Sequence, residues 1–376
     1  MTRVLLLGAG KIGRMIAKFL VPTGDYQVVV ADSDPRSLER IKGQTSVETI
    51  SLDATSLEDL KRACTGVDTV VSALSYRFNR QVAQAALETG ASYFDLTEDR
   101  ETTQVVRQIA ERSRDGQVFM PQCGLAPGFV SIVAKHLTHN FDEIDAVYMR
   151  VGALPQYPSN VLKYNLTWST DGLINEYCNP AEAIHDGKRI EVLPLEGLEH
   201  FSMDGVRYEA FNTSGGLGTL CETLDGSVRN LNYKTIRYQG HRDLMAFLLS
   251  TLKLRDRREL LLDIMESSIP ITFQDVVVTF CTVTGRRKGQ LVQITDARTI
   301  YHKNLWGENW SAIQITTAAG ICAVLDLHRS GKLSRSGFLR QEDISFDAFL
   351  DNRFGAYYCT ESAPPITPVG GFMADV

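Results

Sequence analysis

The chain has 376 residues, 44% of them hydrophobic and 22% charged, so about two domains are expected and disorder is excluded over most of its length. Its 39 basic and 45 acidic residues leave a net charge of −6, with no basic block or aromatic–basic stripe; that argues against nucleic acid as a main partner and is compatible with a small metabolite. The seven cysteines, at 64, 123, 178, 221, 281, 322 and 359, stand far apart without a CxxC pair, the usage of a reduced cytosolic protein, and no run reaches the ~18 apolar residues of a membrane span.

Residues 3–7 form an apolar run that glycines cut short, a buried strand rather than a signal peptide. Strands are then predicted over 27–31, 47–52, 69–73, 92–96 and 118–122. Helices are predicted between them, starting at 34, over 56–64 with Ser56 opening a capping-box pattern, and over 79–89 and 102–115. This alternation predicts an α/β fold, a doubly wound parallel sheet of Rossmann type over residues 1–128. After Gly128 the pattern changes. A strand is predicted over 145–152, regular alternation is absent as far as Tyr238, and a hairpin is expected from 276–283 and 290–296 with its turn over 284–289. Residues 310–328 read as a long amphipathic helix that packs back near the first domain. An inserted α+β domain of mostly antiparallel sheet is thus expected over 129–308, with returning helices over 309–352 and a tail over 353–376.

Gly8, Gly10 and Gly13, with Lys11 and Ile12 between them, form GxGxxG between a strand and a helix, the setting in which the motif binds a dinucleotide pyrophosphate. Asp32 ends the second strand about 20 residues past the motif, where an acid bonds the ribose 2′-hydroxyl and repels a 2′-phosphate. NAD is therefore expected over NADP, although Asp32 can also be a helix cap and Arg36 could accept a phosphate. Asp53, Ser72, Ala73, Leu74 and Asp95 lie at the other strand ends, where ligands collect; each can equally be a cap or turn residue. His136 and His139 share a helix face without an acid–cysteine cluster, so no metal site is expected.

Six segments, taken in order, are Val70 to Asn79, Tyr93 to Leu96, Cys123-Gly-Leu-Ala-Pro-Gly128, Val151-Gly-Ala-Leu-Pro155, Phe211-Asn-Thr-Ser-Gly-Gly216 and Tyr233-Lys-Thr-Ile-Arg-Tyr-Gln-Gly-His241. Together they resemble the saccharopine dehydrogenase family, and within it the lysine 6-dehydrogenase branch. Asn212 departs from the histidine often found before Thr-Ser-Gly-Gly in that branch. The resemblance implies a homodimer, a substrate and dimerisation role for the inserted domain, and NAD-dependent oxidation of the side-chain amine of L-lysine to allysine, which cyclises to piperideine-6-carboxylate. Saccharopine reductase chemistry and a non-catalytic NAD sensor are the alternatives. Arg237 is the cation expected to grip the substrate carboxylate. On a strand, Thr235 shares its face while Lys234 and Tyr238 share the other. Lys234, His241, Asn212, Thr213 and Ser214 are the further expected substrate contacts, with Tyr76 walling the pocket and Gly124 at its floor beside the nicotinamide. Asp95 is the candidate base. Cys123 is a second catalytic candidate, or a buried, inert thiol.

Overall fold

The computed structural model describes residues 1–359. The first half alternates as β1 (Thr2–Leu7), α1 (Lys11–Leu20), β2 (Tyr26–Asp32), α2 (Pro35–Gln44), β3 (Glu48–Ser51), α3 (Leu57–Cys64), β4 (Thr69–Ser72), α4 (Tyr76–Thr89), β5 (Ser92–Asp95), α5 (Arg100–Ala110) and β6 (Val118–Met120). Short polar side chains start three of these helices. Asp34, Ser56 and Asp99 each accept a backbone N–H of the first turn, satisfying donors the helix leaves open. Of the box predicted at Ser56, only the serine's own bond to Asp59 N–H is formed.

The chain continues with α6 (Phe129–Thr138), β7 (Glu143–Pro155), α7 (Thr170–Cys178), β8 (Ala181–His185), β9 (Lys188–Val192), β10 (Glu199–Met203), β11 (Val206–Asn212), α8 (Leu220–Thr223), β12 (Val228–Tyr238), α9 (His241–Ala246) and α10 (Arg258–Ser268). It ends with β13 (Asp275–Arg287), β14 (Gln290–Tyr301), β15 (Lys303–Leu305), β16 (Glu308–Trp310), α11 (Ala312–Arg329), β17 (Gly337–Phe338) and α12 (Phe346–Leu350).

The first sheet runs β17-β6-β5-β4-β1-β2-β3, every pair parallel. Its strand order reverses at β1, which sits between β4 and β2 and so opens a crevice above the carboxyl ends of the strands. The edge strand β17 comes from the far end of the chain and is two residues long, too short to show a period. The second sheet runs β10-β11-β12-β7-β13-β14, with β8 attached to β12 and β9 to β8. It is antiparallel except at β12 and β7, which lie parallel. The hairpin turn is tighter than expected. Lys288 and Gly289, both at positive φ, close it alone, and the strands extend through 284–287.

Helix α11 corrects the amphipathic reading of 310–328. Of its 18 residues only Thr317, His328 and Arg329 escape burial, so it has no solvent face. It packs on α1 of the first sheet and β13 of the second, and one apolar core runs through all three. The tail also begins later than residue 353. Phe354 and Tyr358 are buried, the Tyr358 hydroxyl donates to the Thr316 carbonyl at 2.6 Å, and Arg353 pairs with Asp25 and Asp326. The rest of the expected tail, 360–376, lies outside the described residues. Among the described residues no helix is long and apolar enough to cross a membrane.

Candidate active site

The glycine motif lies at the crevice, and each glycine has its own reason. A Cβ on Gly8, which has φ +100°, would approach the Ala73 carbonyl oxygen to 2.9 Å. A Cβ on Gly13 would lie 1.8 Å from the Gly8 carbonyl oxygen, so this glycine lets α1 close on the strand. At Gly10 a Cβ meets nothing within 4 Å. The space in front of the α1 N-terminus is open, and Gly10 keeps it so. No side chain caps α1 and no acid sits in its first turn, which leaves its amides for an anion. These residues fit a dinucleotide pyrophosphate. Asp32 accepts Ala9 N–H at 2.7 Å and Asp34 N–H at 2.8 Å, which ties the end of β2 to the glycine turn. The cap of α2 is Asp34.

A cavity of about 270 Å³ opens where the two sheets meet. Ile12, Ala73, Leu74 and Gly124 line it, as do Tyr76, Arg237 and Thr235. The alternation on β12 is as expected: Tyr233, Thr235 and Arg237 face the cavity, while Lys234 points the other way, to Glu199 at 2.6 Å. Arg237 is 4% exposed. Its Nε donates to the Tyr177 hydroxyl at 2.8 Å and its Nη1 to the Ile236 carbonyl at 2.8 Å, so the fork is aimed while Nη2 makes no hydrogen bond among the described residues. His241 holds Tyr177 from behind (Nε2 to hydroxyl 3.1 Å) and bonds the Leu162 carbonyl through Nδ1. Burial, with Arg237 nearby, pushes His241 down to about 3. It is thus a neutral positioning residue and does not touch the cavity.

Several expected site residues lie away from the cavity. Asp95 is fully buried beneath the strand ends, where its carboxylate accepts from the Tyr93 hydroxyl, Asn79 Nδ2, Thr97 N–H and Gln122 N–H. Burial raises it to about 6, against these bonds, and it braces the loop instead of facing a substrate. Ser72 joins the same network through Asn79 at 2.7 Å. Cys123 is buried, contacts Gln341 Nε2 and the Met120 carbonyl, and is held far above the usual thiol range by burial, the setting of an inert thiol. Asp53 is exposed and closes a turn on Thr55. The Lys11 side chain does not line the cavity; its carbonyl accepts from Gln314 of α11.

The Thr-Ser-Gly-Gly turn offers the cavity no hydroxyl. Thr213 bonds Thr235, Ser214 bonds carbonyls of α7, and Asn212 reaches the Leu193 carbonyl. Its glycines make room. A Cβ on Gly215 would lie 2.8 Å from the Glu98 carbonyl oxygen, and one on Gly216 would enter the Tyr233 ring at 2.2 Å.

Residues 4–119 match the model of the saccharopine dehydrogenase NADP binding domain, and residues 124–351 that of the saccharopine dehydrogenase C-terminal domain. The chain belongs to the saccharopine dehydrogenase family. It is 24% identical over 315 residues to the saccharopine dehydrogenase [NADP(+), L-glutamate-forming] of Saccharomyces cerevisiae, covering 78% of this chain and 67% of that one. It is 22% identical over 199 residues to the mitochondrial alpha-aminoadipic semialdehyde synthase of Bos taurus, covering 51% of this chain but only 21% of that protein. The apo Saccharomyces cerevisiae saccharopine dehydrogenase structure superposes with a TM-score of 0.74 at 17% identity, over 93% of this chain and 96% of that one. The homospermidine synthase of Legionella pneumophila, solved with NAD, superposes with a TM-score of 0.67 at 14% identity, over 100% of this chain and 96% of that one. The chain is thus an oxidoreductase of the saccharopine dehydrogenase family with a pyridine-nucleotide domain.

The family segments stop short of two acids that share this cavity. Glu98 follows β5 by three residues, and Glu176 lies on α7. Trp168 and Tyr233 complete the aromatic wall with Tyr76. Burial raises Glu98 to about 7, and holds Glu176 well above the carboxyl range with the Glu98 charge adding to it and Arg237 opposing. A signal for Glu176 is present in the sequence: an acid among Leu173, Ile174 and Tyr177, on the buried side of a short helix.

Proposed function

We propose that the protein oxidises the side-chain amine of L-lysine with NAD, giving allysine and its cyclic form. The observation that carries this reading is the charge of the cavity. Arg237 is its one basic residue among the described residues, facing the acids Glu98 and Glu176. Lysine brings one carboxylate and two ammonium groups, the complement of that set, and two cations draw both acids to their ionised form. Saccharopine brings further carboxylates that this wall does not match.

Bound at the glycine turn, a nicotinamide cofactor supplies the acceptor for the hydride. Arg237 holds the α-carboxylate, with Tyr177 and His241 fixing the plane of its fork. Tyr76, Trp168 and Tyr233 exclude water from around the reacting carbon. The choice of NAD rests on the end of β2, where Asp32 and Asp34 place two carboxylates. Arg36 there is engaged by Asp34, its side chain otherwise 91% exposed. A 2′-phosphate would meet both acids.

The test is absorbance of the reduced nicotinamide with NAD or NADP and a panel of L-lysine, saccharopine, other basic amino acids and diamines. Reduction of NAD with lysine is the expected outcome. Reduction only with saccharopine and NADP would replace this reading with the activity named in the yeast relative.

A further inference from the structure

We propose that Glu98 is the general base of this amine oxidation and that its proton leaves through a second cavity on the other side of its side chain. The proposal rests on the reading of the site as an amine dehydrogenase.

The geometry separates the two cavity acids. Glu98 lines the main cavity and also a second one of about 330 Å³, shared with Asp99, Arg100, Glu101, Gln104, Asn175 and Glu191. Glu101, Gln104 and Glu191 at its rim are exposed, so this cavity reaches bulk water. Glu176 lines only the main cavity and is 6% exposed. Glu98 is the one acid with a face on both sides.

Its surroundings hold the side chain in place without consuming it. The Gly215 turn packs on its backbone and Cβ, and Gly172 of α7 lies against it, where an added Cβ would come within 3.2 Å of Oε1. Its carboxylate accepts from its own backbone N–H and makes no hydrogen bond to another side chain among the described residues, in contrast to Asp95 with its four donors. The charged and titratable groups facing it are Asp95, Asp99, Arg100 and Glu101 on its own segment, Asp171 and Glu176 on α7, Glu191 on β9, and, across the main cavity, Tyr76 on α4 and Tyr233 and Arg237 on β12. Burial, with the neighbouring acids adding to it and its own backbone N–H opposing, brings Glu98 to about 7, matched to taking and releasing a proton near neutrality.

The step balances. Glu98 takes one proton from the side-chain ammonium, freeing the nitrogen lone pair. The C–H bond then breaks with its electron pair leaving as hydride to the oxidised nicotinamide, and the lone pair forms the C=N bond. Water adds to this imine and ammonium departs, leaving the aldehyde. The Glu98 proton passes to solvent through the second cavity, whose rim carries Glu101 and Glu191, the latter paired with Arg100 at 3.6 Å.

The experiment is the pH profile of kcat/KM for wild type, Glu98→Gln, Glu98→Asp and Glu176→Gln, with the amine of the panel that reduces the cofactor fastest, and with nicotinamide affinity measured alongside. The wild-type rate should rise with pH through about 7, because the ionised base is the active form. Glu98→Gln should lose that limb and roughly 10²–10⁴-fold in rate with cofactor affinity unchanged; Glu98→Asp should keep the limb at a reduced rate, and Glu176→Gln should keep it with a changed KM. A Glu98→Gln enzyme within threefold of wild type that retains the limb overturns the proposal while amine oxidation stands. A wild type that oxidises no amine removes the reading beneath it, and the proposal with it.

Discussion

At the scale of the residue, Arg237 shows how a buried cation is kept useful. Two of its donors are spent on orientation, on Tyr177 and the Ile236 carbonyl, and its guanidinium lies 5.1 Å from the centre of the Tyr164 ring. The remaining edge faces the cavity. Arg237→Lys keeps the charge but loses the planar fork and the bond to Tyr177. We expect KM for the proposed amine substrate to rise roughly 10-fold or more, the loss of about 1.4 kcal/mol, with nicotinamide affinity unchanged. Steady-state kinetics and cofactor titration check this, and wild-type KM would remove Arg237 from the substrate site.

At the scale of the element, the glycine turn and α1 separate binding from folding. Gly10→Ala adds a methyl to open space in the protein, yet that space is where a pyrophosphate would lie against the α1 amides. Thermal stability should stay close to wild type while affinity for the nicotinamide dinucleotide falls at least roughly 10-fold, since the backbone can no longer approach the phosphates. Gly13→Ala should do the reverse first: with the Gly8 carbonyl oxygen 1.8 Å from the new atom, α1 must move, at about 1–3 kcal/mol in stability. Melting temperature and cofactor titration of both variants distinguish the two roles. Equal loss of stability in both would show that Gly10, too, serves packing.

At the scale of the whole molecule, the two sheets are joined by α11 and by charges at its start. Asp275, at the head of β13, accepts the Ala312 and Ile313 N–H groups at the α11 N-terminus. Asp171 on α7 bonds Arg77 of α4 at 2.6 Å, tying the helix that carries Glu176 to a helix of the first sheet, and Arg258 of the neighbouring α10 at 2.9 Å. Burial raises Asp275 to about 7, against those N–H bonds. A carboxyl raised on folding contributes stability that is complete below its unfolded pKa and is lost as pH rises through the folded one. From about pH 4 to 7, therefore, wild type should lose stability relative to Asp275→Asn, which does not titrate. Melting temperatures of the pair at pH 5 and pH 8 test this: the difference should shift toward the variant at the higher pH, and a constant difference would place the titration of Asp275 outside that window.

The first sheet and its nucleotide turn were legible because their signals are local. An apolar run, three glycines at fixed spacing and an acid at the end of β2 lie within 30 residues, and period two on β12 put Thr235 and Arg237 together on one face. Where each side chain goes once strands from distant parts of the chain meet was not legible. Asp95 and Glu98 are three residues apart on one segment, and the residue types alone favour neither. The fold turns Asp95 inward onto four donors and leaves Glu98 between two cavities, because Gly215 and Gly172, each more than 70 residues away, pack against it. Likewise the Thr-Ser-Gly-Gly turn reads as a hydroxyl site in one dimension and acts as a spacer in three, and α11 loses its polar face only because a sheet lies on each side. Spacing along the chain sets which elements form; burial and the donors met in space decide which acid remains free for chemistry.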